Sequence, residues 1–472
     1  MESENDFFFE AGEVKSLAVI MDLDPLDTSS GAAVIGAGVA GGVVSWSSLL
    51  SLHRFMTSSD DVNASWGAWS LTTLFPFRVW PLLPPWWTLL ATIGMVFVTC
   101  LYLLHLIAYT YSKYRLHRVV DFDPNAAGVS ILKPLLGVDK NLKTNLQSFF
   151  TMKFPKFEIL FCVKDRHDPA VGIVKQLMDR YPAVDARIFY GGEIVGLNPK
   201  INNMMPAYRN AKYPLVMISD AGILMRSDAL MDMVNSMTDD VALVTQMPYC
   251  KDREGFAGAL EQVCVGWIYF GTSHGRIYLA GNCMQFVCST GMSSLMRKFV
   301  LDECGGLAAF GDVLAEDYFI GLEFSRRGWL SAISTHPALQ NSAEPSVSKF
   351  HARISRWMQL RIAMLPHMML VEPLQDCFIA GVIGCLCANH LFDFNPYIYY
   401  VVHCIAWCLC DYALNRSIQN GSLPYSISKF ARAWAFREVL APFIYIRAIL
   451  TPNIHWRNGR FRLHWGGKIK SS

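Results

Sequence analysis

A long run without charged residues most constrains how this chain can fold. From Val79 to Ser112 the sequence contains no Asp, Glu, Lys or Arg. The stretch from Trp86 to Tyr111 exceeds the ~20 apolar residues that cross the ~30 Å hydrocarbon core of a bilayer. The sequence therefore predicts a transmembrane helix over residues 86–111.

The flanks of this segment predict its orientation. Aromatic residues stand at both ends, as in interfacial belts: Trp86, Trp87, Tyr109, Tyr111 and Tyr114. Three bases lie closely after the segment, whereas one precedes it: Lys113, Arg115 and Arg118, against Arg78. By the positive-inside rule, the chain beyond the segment is expected in the cytosol and the N-terminus outside or in a lumen.

Residues 1–80 form an N-terminal extension that is acidic at first and then rich in Gly and Ala. Its first 30 residues carry eight acids and one base, Lys15, which argues against a signal peptide because such peptides begin basic. Gly36, Gly38 and Gly41 have the GxGxxG spacing of dinucleotide-binding loops, but the apolar lead-in is short and no second strand follows within about 30 residues. A poorly ordered or membrane-associated segment is the better prediction.

Between residues 128 and 340, apolar runs alternate with amphipathic stretches. Five runs are typical of strands: Val129–Leu135, Phe157–Val163, Val184–Tyr190, Pro214–Ile218 and Val241–Thr245. Helical patterns over Pro169–Arg180 and Ser227–Met237 lie between them. The alternation predicts an α/β domain at about 120–350 with a mostly parallel, doubly wound sheet, which binds its ligands at the carboxyl ends of the strands.

Beyond residue 350 the chain becomes apolar again. Residues 351–375 are amphipathic and rich in Arg, which predicts an interfacial helix. In the segment 376–472, the runs Cys377–Phe392 and Pro396–Cys410 have 16 and 15 residues, short for full spans, and predict a membrane hairpin. A third run, Ala433–Leu450, contains two Arg and one Glu, so we expect it to be interfacial or re-entrant, followed by a basic tail.

Composition excludes several kinds of protein. Hydrophobic residues make up 52% of the chain and charged residues 17%, against roughly 25% charged in ordinary soluble domains, so neither a disordered nor a purely soluble chain fits. Lys and Arg total 41 against 39 Asp and Glu, which leaves no basic excess for binding nucleic acid. The 13 cysteines lack paired CxxC zinc spacing and are interpreted as reduced.

Acidic residues stand directly after predicted strands or beside a predicted helix start. These are Asp165, Asp220 and the Glu316-Asp317 pair. Carboxylates so placed can hold a nucleoside, bind a divalent cation beside a diphosphate or accept a proton from a hydroxyl. Each acid alone is more often a helix cap or a solvated turn.

A basic and aromatic motif strengthens the catalytic interpretation. Arg353 and Arg356 share one helical face and can clamp a diphosphate, with Trp357 beside them. The alternative is a basic interfacial helix on anionic lipid, and both interpretations can hold together.

In this order, the acids and the Arg-x-x-Arg-Trp motif resemble the D, D, D, (Q/R)xxRW signature of membrane-bound inverting glycosyltransferases, and more closely that of ceramide glucosyltransferases. The matching stretches are Leu132–Leu135 with Gly137–Asp139, Asn198–Asn203, Gly271–His274, Thr290–Met292 and Ala315–Phe319. The resemblance runs from about residue 85 to the C-terminus. It implies a GT-A nucleotide-sugar domain.

The resemblance also implies roles for single residues. Asp165 would contact the uridine part of a donor, Asp220 a metal, and Asp317 would be the catalytic base. Lys200, Arg353, Arg356 and Trp357 would bind the diphosphate side of the donor. His274, Thr290, Gly291 and Glu316 are implied in the acceptor region.

Three departures from the family pattern are visible. Residues 1 to about 75 match nothing in the family. The sequence Ser219-Asp220-Ala221-Gly222 has one carboxylate where the usual DxD motif has two, which predicts weaker metal binding. Gly275 comes after His274 where related sequences tend to have Pro, so the backbone is less restrained there.

The resemblance implies transfer of glucose from UDP-glucose to the primary hydroxyl of ceramide, with Mg²⁺ or Mn²⁺, in a multi-pass protein of the Golgi or ER membrane. Two alternatives remain open at this point: a processive synthase of the cellulose, chitin or hyaluronan type, and a non-enzymatic membrane scaffold.

Sequons at Asn63, Asn415 and Asn420 report orientation, and we expect Asn63 alone to be glycosylated. The ending from Lys468 to Ser472 resembles a KxKxx retrieval signal.

Overall fold

The computed structural model describes residues 85–251, 255–263, 289–341, 346–451, 453–456 and 459–471. The glycine motif at Gly36, Gly38 and Gly41, the sequon at Asn63 and the acceptor-region candidate His274 lie outside the described residues.

The predicted transmembrane segment is one helix, α1, at Pro85–Arg115. It begins at a proline, which suits a first turn because the missing N–H would have no helical partner there. An 18-residue window of this helix has a mean hydropathy of 2.2, and the helix is long and apolar enough to cross a membrane. Leu89 and Ile93 are exposed on one face, whereas Val98 and Leu101 are buried on another. Helix α1 therefore presents one face to protein and one to an apolar surrounding.

A seven-stranded sheet is the centre of the domain after α1. Its strands are β1 Val129–Leu135, β2 Phe157–Val163, β3 Asp185–Tyr190, β4 Leu215–Ser219, β6 Val241–Thr245, β8 Ser293–Arg297 and β9 Leu330–Ile333. The order is β3-β2-β1-β4-β8-β6-β9, and β8 alone runs antiparallel to its neighbours. A second sheet has the order β5-β10-β7, with β5 Ile223–Leu224, β7 Pro248–Cys250 and β10 Ala338–Gln340.

Among the described residues, seven α-helices cover this sheet or connect its strands: α2 Leu142–Phe150, α3 Ala170–Arg180, α4 Pro199–Arg209, α5 Ala229–Asn235, α6 Gly255–Val263, α7 Lys298–Glu303 and α8 Glu316–Arg326. Ile131 and Leu132, adjacent in β1, belong to different hydrophobic clusters, as the alternation of side chains along a strand requires. The sheet is thus buried on both faces, and the predicted α/β fold is confirmed.

The described part of the C-terminal region has five further α-helices: α9 Val347–Met364, α10 Met368–Val371, α11 Cys377–Phe392, α12 Pro396–Gln419 and α13 Ile427–Leu450. Helix α12 has 24 residues, nine more than the predicted run to Cys410, because Asp411 and Asn415 are buried with hydrogen-bond partners instead of ending it. Among the described helices, α1 and α12 are long and apolar enough to span a membrane. Helix α11 adds a third span if joined to Met369–Gln375, from which it is bent by 81°.

A buried polar cluster joins α1, α12 and α13, and we call it the Asp411 cluster. Its members are His105, Asp411, Trp434, Arg437 and Glu438. Asp411 accepts hydrogen bonds from His105 Nε2 at 3.0 Å and Trp434 Nε1 at 2.9 Å, and Arg437 Nη2 lies 3.3 Å from it. Arg437 also pairs with Glu438, so the charges of α13 lie against protein partners.

The last described residues fold into an antiparallel sheet in the order β11-β12-β13, with β11 Asn453–Trp456, β12 Gly459–Leu463 and β13 Ile469–Ser471. We call it the C-terminal sheet. The segment predicted as a basic tail is therefore folded, and Lys470, part of the KxKxx sequence, lies in β13.

Candidate active site

Asp220 lies directly after β4, at the carboxyl end of the sheet. Its backbone N–H donates to Met292 O at 2.9 Å, and its carbonyl accepts from Lys133 Nζ at 2.8 Å. The side chain is 45% exposed. The main chain is thus fixed from two neighbouring strands while the carboxylate faces solvent, as a ligand-binding group should.

Lys133, which fixes Asp220, is buried within the apolar strand β1. Its Nζ also donates to Ser219 Oγ at 3.0 Å and lies 3.6 Å from the centre of the Phe149 ring. Burial lowers the pKa of Lys133 well below its usual value, and the charge of Asp220 opposes this only in part. The sequence showed Lys133 only as a matching residue of the family, without a role.

Asn198 joins the start of α4 to the segment before α8. Its Oδ1 accepts from the backbone N–H groups of Lys200 and Ile201, at 2.8 and 3.3 Å, which is N-capping. Its Nδ2 donates to Val313 O at 2.8 Å and Glu316 Oε2 at 3.2 Å. An Asn before Pro199 is a recognisable helix start, but the second pair of bonds is visible only in the fold.

Lys200 lies at the centre of the acidic group. Its Nζ is 2.9 Å from Glu316 Oε1, 3.1 Å from Asp220 Oδ1 and 2.9 Å from the carbonyl of Gly291. Burial lowers the pKa of Lys200, but Asp220 and Glu316 together raise it by more, so the net pKa is above the usual value. A charged Lys200 therefore holds the two acidic motifs together.

Asp317 is the second residue of α8, where the partial positive charge of the helix N-terminus favours an acid. Its Oδ2 accepts from Gly291 N at 2.5 Å, and its Oδ1 from Tyr318 N at 2.8 Å. A Cβ at Gly291 would lie 3.0 Å from Oδ2, so the close approach favours glycine. A cavity of about 10 Å³, room for one water, adjoins Gly291, Glu316 and Asp317.

The environment of Asp317 suits a base that works near neutral pH. Burial and the neighbouring charge of Glu316 raise the pKa of Asp317 to about 6, although Lys200 and the two backbone N–H groups act in the opposite direction. A carboxylate with this pKa is mostly ionised at pH 7 and accepts a proton more readily than an ordinary Asp.

Two neighbours of Asp317 differ in role. Thr290, a predicted acceptor-region residue, is buried, and its Oγ1 donates to Gln246 O at 3.4 Å, which indicates support of the sheet. Ser289 Oγ donates to the carbonyl of Asp317 at 2.5 Å. Sequence reasoning did not identify Ser289, because a Ser in an irregular segment carries no specific signal.

Asp165 lies in the exposed loop after β2, at the same edge of the sheet. Its hydrogen bonds are local: Oδ1 accepts from His167 N at 2.9 Å. Asp168, three residues on, accepts from Gly137 N and Ala170 N at 2.8 and 2.9 Å, so it joins the loops after β1 and β2. In the described residues, no ion pair or hydrogen bond links Asp165 to the group around Lys200.

The Arg-x-x-Arg-Trp motif lies on α9. Arg353 Nη2 is 3.2 Å from Glu261 Oε1 on α6, and its guanidinium lies 5.6 Å from the centre of the Trp357 ring. Trp357 packs against the main core, and Arg356 is partly buried. Among the ion pairs of the described residues, Arg353 and Lys200 share no acidic partner. A diphosphate reaching Arg353 would compete with Glu261, which no sequence pattern singled out.

The mostly parallel sheet with one antiparallel strand, and the acidic residues at its carboxyl edge, fit the GT-A class of glycosyltransferases. The chain belongs to glycosyl transferase family 21, because the model of that family matches residues 100–469. The family resemblance seen in the sequence is therefore confirmed. The chain is an enzyme, and the scaffold alternative is not favoured.

Two relatives come from Caenorhabditis elegans. Ceramide glucosyltransferase 3 is 59% identical over 384 residues, covering 81% of this chain and 83% of the relative. Ceramide glucosyltransferase 1 is 51% identical over 387 residues, covering 82% of each. Among solved structures, a mannosyltransferase from Pyrobaculum calidifontis, in complex with GDP-mannose and Mn²⁺, matches 74% of this chain at 16% identity, with a TM-score of 0.44 and 99% of its own length covered.

Proposed function

We propose that the protein transfers glucose from UDP-glucose to the primary hydroxyl of ceramide, with inversion at the anomeric carbon, giving β-linked glucosylceramide and UDP. The observation that carries this proposal is the 59% identity with a ceramide glucosyltransferase over most of both chains. The site supports it, because its carboxylates and Lys200 lie at the carboxyl edge of the sheet, where such folds bind ligands.

Asp317 is the base in this proposal. With its pKa raised to about 6, it takes the proton from the acceptor hydroxyl as the oxygen attacks the anomeric carbon. The bond between that carbon and the UDP oxygen breaks on the opposite face. The N–H groups of Gly291 and Tyr318 orient the carboxylate before the reaction.

Asp220 is the proposed ligand of a divalent cation. A single exposed carboxylate fits Mg²⁺ or Mn²⁺, since Mg²⁺ is often held by one or two carboxylates together with substrate phosphates. The described residues contain no group of three or more His, Cys, Asp or Glu that could hold a metal without substrate. When bound, the cation would neutralise charge on the departing diphosphate.

Lys200, Arg353 and Arg356 would supply the remaining positive charge for the donor. Lys200 is already held by Asp220 and Glu316, so it acts as a fixed charge close to the metal-binding carboxylate. The two arginines can donate hydrogen bonds to the oxygens of a diphosphate. The ring of Trp357 lies beside the Arg353 guanidinium and restrains it. Asp165 remains the proposed contact of the uridine part, and His274 remains a candidate for the acceptor region.

The acceptor would enter from the membrane. Helices α1 and α12 are long and apolar enough to span it, and the Arg-x-x-Arg-Trp helix α9 precedes the apolar helices directly in the chain. We place the catalytic domain in the cytosol, in Golgi or ER membrane, from the bases at the end of α1. The relatives do not favour a processive polysaccharide synthase.

The decisive experiment supplies both proposed substrates. Membranes containing the protein, given labelled UDP-glucose and a short-chain ceramide, should form one monoglucosyl lipid that a β-glucosidase cleaves. Membranes with Asp317→Asn protein at matched expression should not form it. Label in long chains, or transfer that is the same without ceramide, would contradict the proposal.

A further inference from the structure

The C-terminal sheet packs against both the helix of the Arg-x-x-Arg-Trp motif and the segment that leads into Asp317. Leu314 and Ala363, from these two elements, form one hydrophobic cluster with Ile454, Phe461 and Leu463 of the sheet. In addition, Lys468 pairs with Val313 as an isolated antiparallel bridge. One small sheet thus contacts two elements that carry different parts of the proposed active site.

The turn before β13 packs directly against both elements. Gly467 is buried and has φ +73, and a Cβ built on it would lie 2.8 Å from Met364 Cγ on α9 and 2.9 Å from Phe319 Cζ on α8. Adding even a methyl group there would force a neighbour to move, because real Cβ atoms do not approach so closely. Phe319 is two residues from Asp317 in the same helical turn.

Gly466, the preceding residue, provides a natural comparison. It has φ +83, but a Cβ there would meet nothing within 4 Å. Its N–H donates to Ala363 O at 2.9 Å, a bond that alanine would keep. Both glycines have positive φ, so an alanine would strain the backbone at either position. Only at position 467 would its Cβ also press against Phe319 and Met364.

We propose that Gly467 is a positioning residue for the transfer reaction, which sets how the first turn of α8, with Glu316 and Asp317, lies relative to α9 and its arginines. The base and the diphosphate-binding side chains lie on separate elements, and in-line displacement requires both at the right distance from one substrate. A second connection from the C-terminal sheet to Glu316 runs through Val313, which pairs with Lys468. The Val313 carbonyl accepts a hydrogen bond from Asn198, which also donates to Glu316. The inference rests on the proposed function.

The test compares Gly467→Ala with Gly466→Ala in detergent-solubilised full-length protein with UDP-glucose and short-chain ceramide. We expect Gly467→Ala to lower kcat by about tenfold or more, because small displacements of reacting groups cost up to ~10²-fold, with less change in the KM for UDP-glucose. Gly466→Ala should keep kcat within about twofold of wild type. Both variants carry the strain of positive φ, and Gly467→Ala should melt at a lower temperature than Gly466→Ala because it also has the close contacts with Met364 and Phe319.

A second substitution tests the route of the effect. Phe319→Leu removes the ring atoms on α8 that an alanine at position 467 would touch and leaves Met364 on α9 in place. The double variant Gly467→Ala/Phe319→Leu should therefore regain kcat relative to Gly467→Ala, up to the kcat of Phe319→Leu alone. Equal loss of kcat in the two glycine variants, or no recovery in the double variant, would overturn the inference. If Gly467→Ala does not accumulate as folded protein, Phe319→Leu alone becomes the test, and a kcat within about twofold of wild type would refute it.

UDP release is measured in the same samples. Should wild-type protein release UDP without glucosylating ceramide, the acceptor assignment has failed. The comparison of the two glycine variants is then made on UDP release, with the same outcomes for and against the role of Gly467.

Discussion

Asp317 combines burial, a like-charged neighbour and two backbone donors, and its proposed role as base is the residue role most directly open to test. Asp317→Asn keeps the size and removes the ability to accept a proton, so we expect kcat to fall by about 10²-fold or more. Donor binding should be largely retained. Labelled-product formation and UDP-glucose binding are measured side by side, with Asp239→Asn, an exposed carboxylate, as the matched control.

The pKa of Asp317 also predicts a pH dependence. The base acts when ionised, so the rate should fall as the pH falls through about 6 and level off above it. Because the charge of Glu316 contributes to the raised pKa, Glu316→Gln should move the acidic limb to lower pH. Rate profiles of both proteins between about pH 4.5 and 8, chosen around a pKa of about 6, check this. If the acidic limb of the rate profile stays at the same pH in Glu316→Gln, the assignment of Asp317 as the base is contradicted.

At the scale of elements, the Asp411 cluster is the contact that most depends on three helices being packed together. Asp411 is almost fully buried and accepts from His105 and Trp434, while Arg437 lies beside it. Asp411→Asn leaves Arg437 with one negative partner fewer, and breaking a buried pair costs about 3–5 kcal/mol. We expect a lower melting temperature in detergent.

The matched control for this prediction is Asp393→Asn. Asp393 is exposed, ends α11 and has φ 56, a conformation that Asn adopts readily, so its substitution should leave the melting temperature nearly unchanged. Equal melting temperatures for the two variants would show that the Asp411 cluster does not hold the helices together.

The elements also show how far sequence reasoning reaches. The strands before Asp165 and Asp220 were predicted because their apolar runs are continuous, and the positions of the acids are given by where those runs end. Strand β8 was missed, since Ser293 and Ser294 interrupt its apolar pattern. The length of α12 was underestimated at Asp411, because a buried acid appears as a helix end until its distant partners are known.

The residues of the candidate site also fall into those that the sequence identifies and those that only the fold identifies. The positions of Asp220, Glu316 and Asp317 along the chain make them candidates, and the structure brings Asp220 and Glu316 together on Lys200. Lys133 and Glu261 were not identified, because each acts through a residue about 90 positions away, and only the packed sheet and helices bring the pairs together. Contacts of that kind leave no periodic trace in a single sequence.

At the scale of the whole molecule, the orientation in the membrane is testable with the sequons. Asn415 is buried within α12, so an absent glycan there reports packing and not orientation. Asn420 is exposed at the end of α12 and is the useful reporter. We expect glycan on Asn63 and none on Asn420, detected as one mobility shift that endoglycosidase and Asn63→Gln each remove. Glycan on Asn420 would reverse the proposed topology.

The hydrogen bond between His105 and Asp411 spans 306 positions of sequence. Ribosomes add about 5–20 residues per second, so roughly 15–60 s pass between the synthesis of these two partners. During that interval α1 is already made without the helix that its histidine will contact, while the seven-stranded sheet is completed behind it. Synthesis thus completes α1 first, the sheet and its acidic residues second, and α12 and α13 last. A chain halted before α12 would hold the sheet and its acidic residues but lack the partners of His105 in the Asp411 cluster.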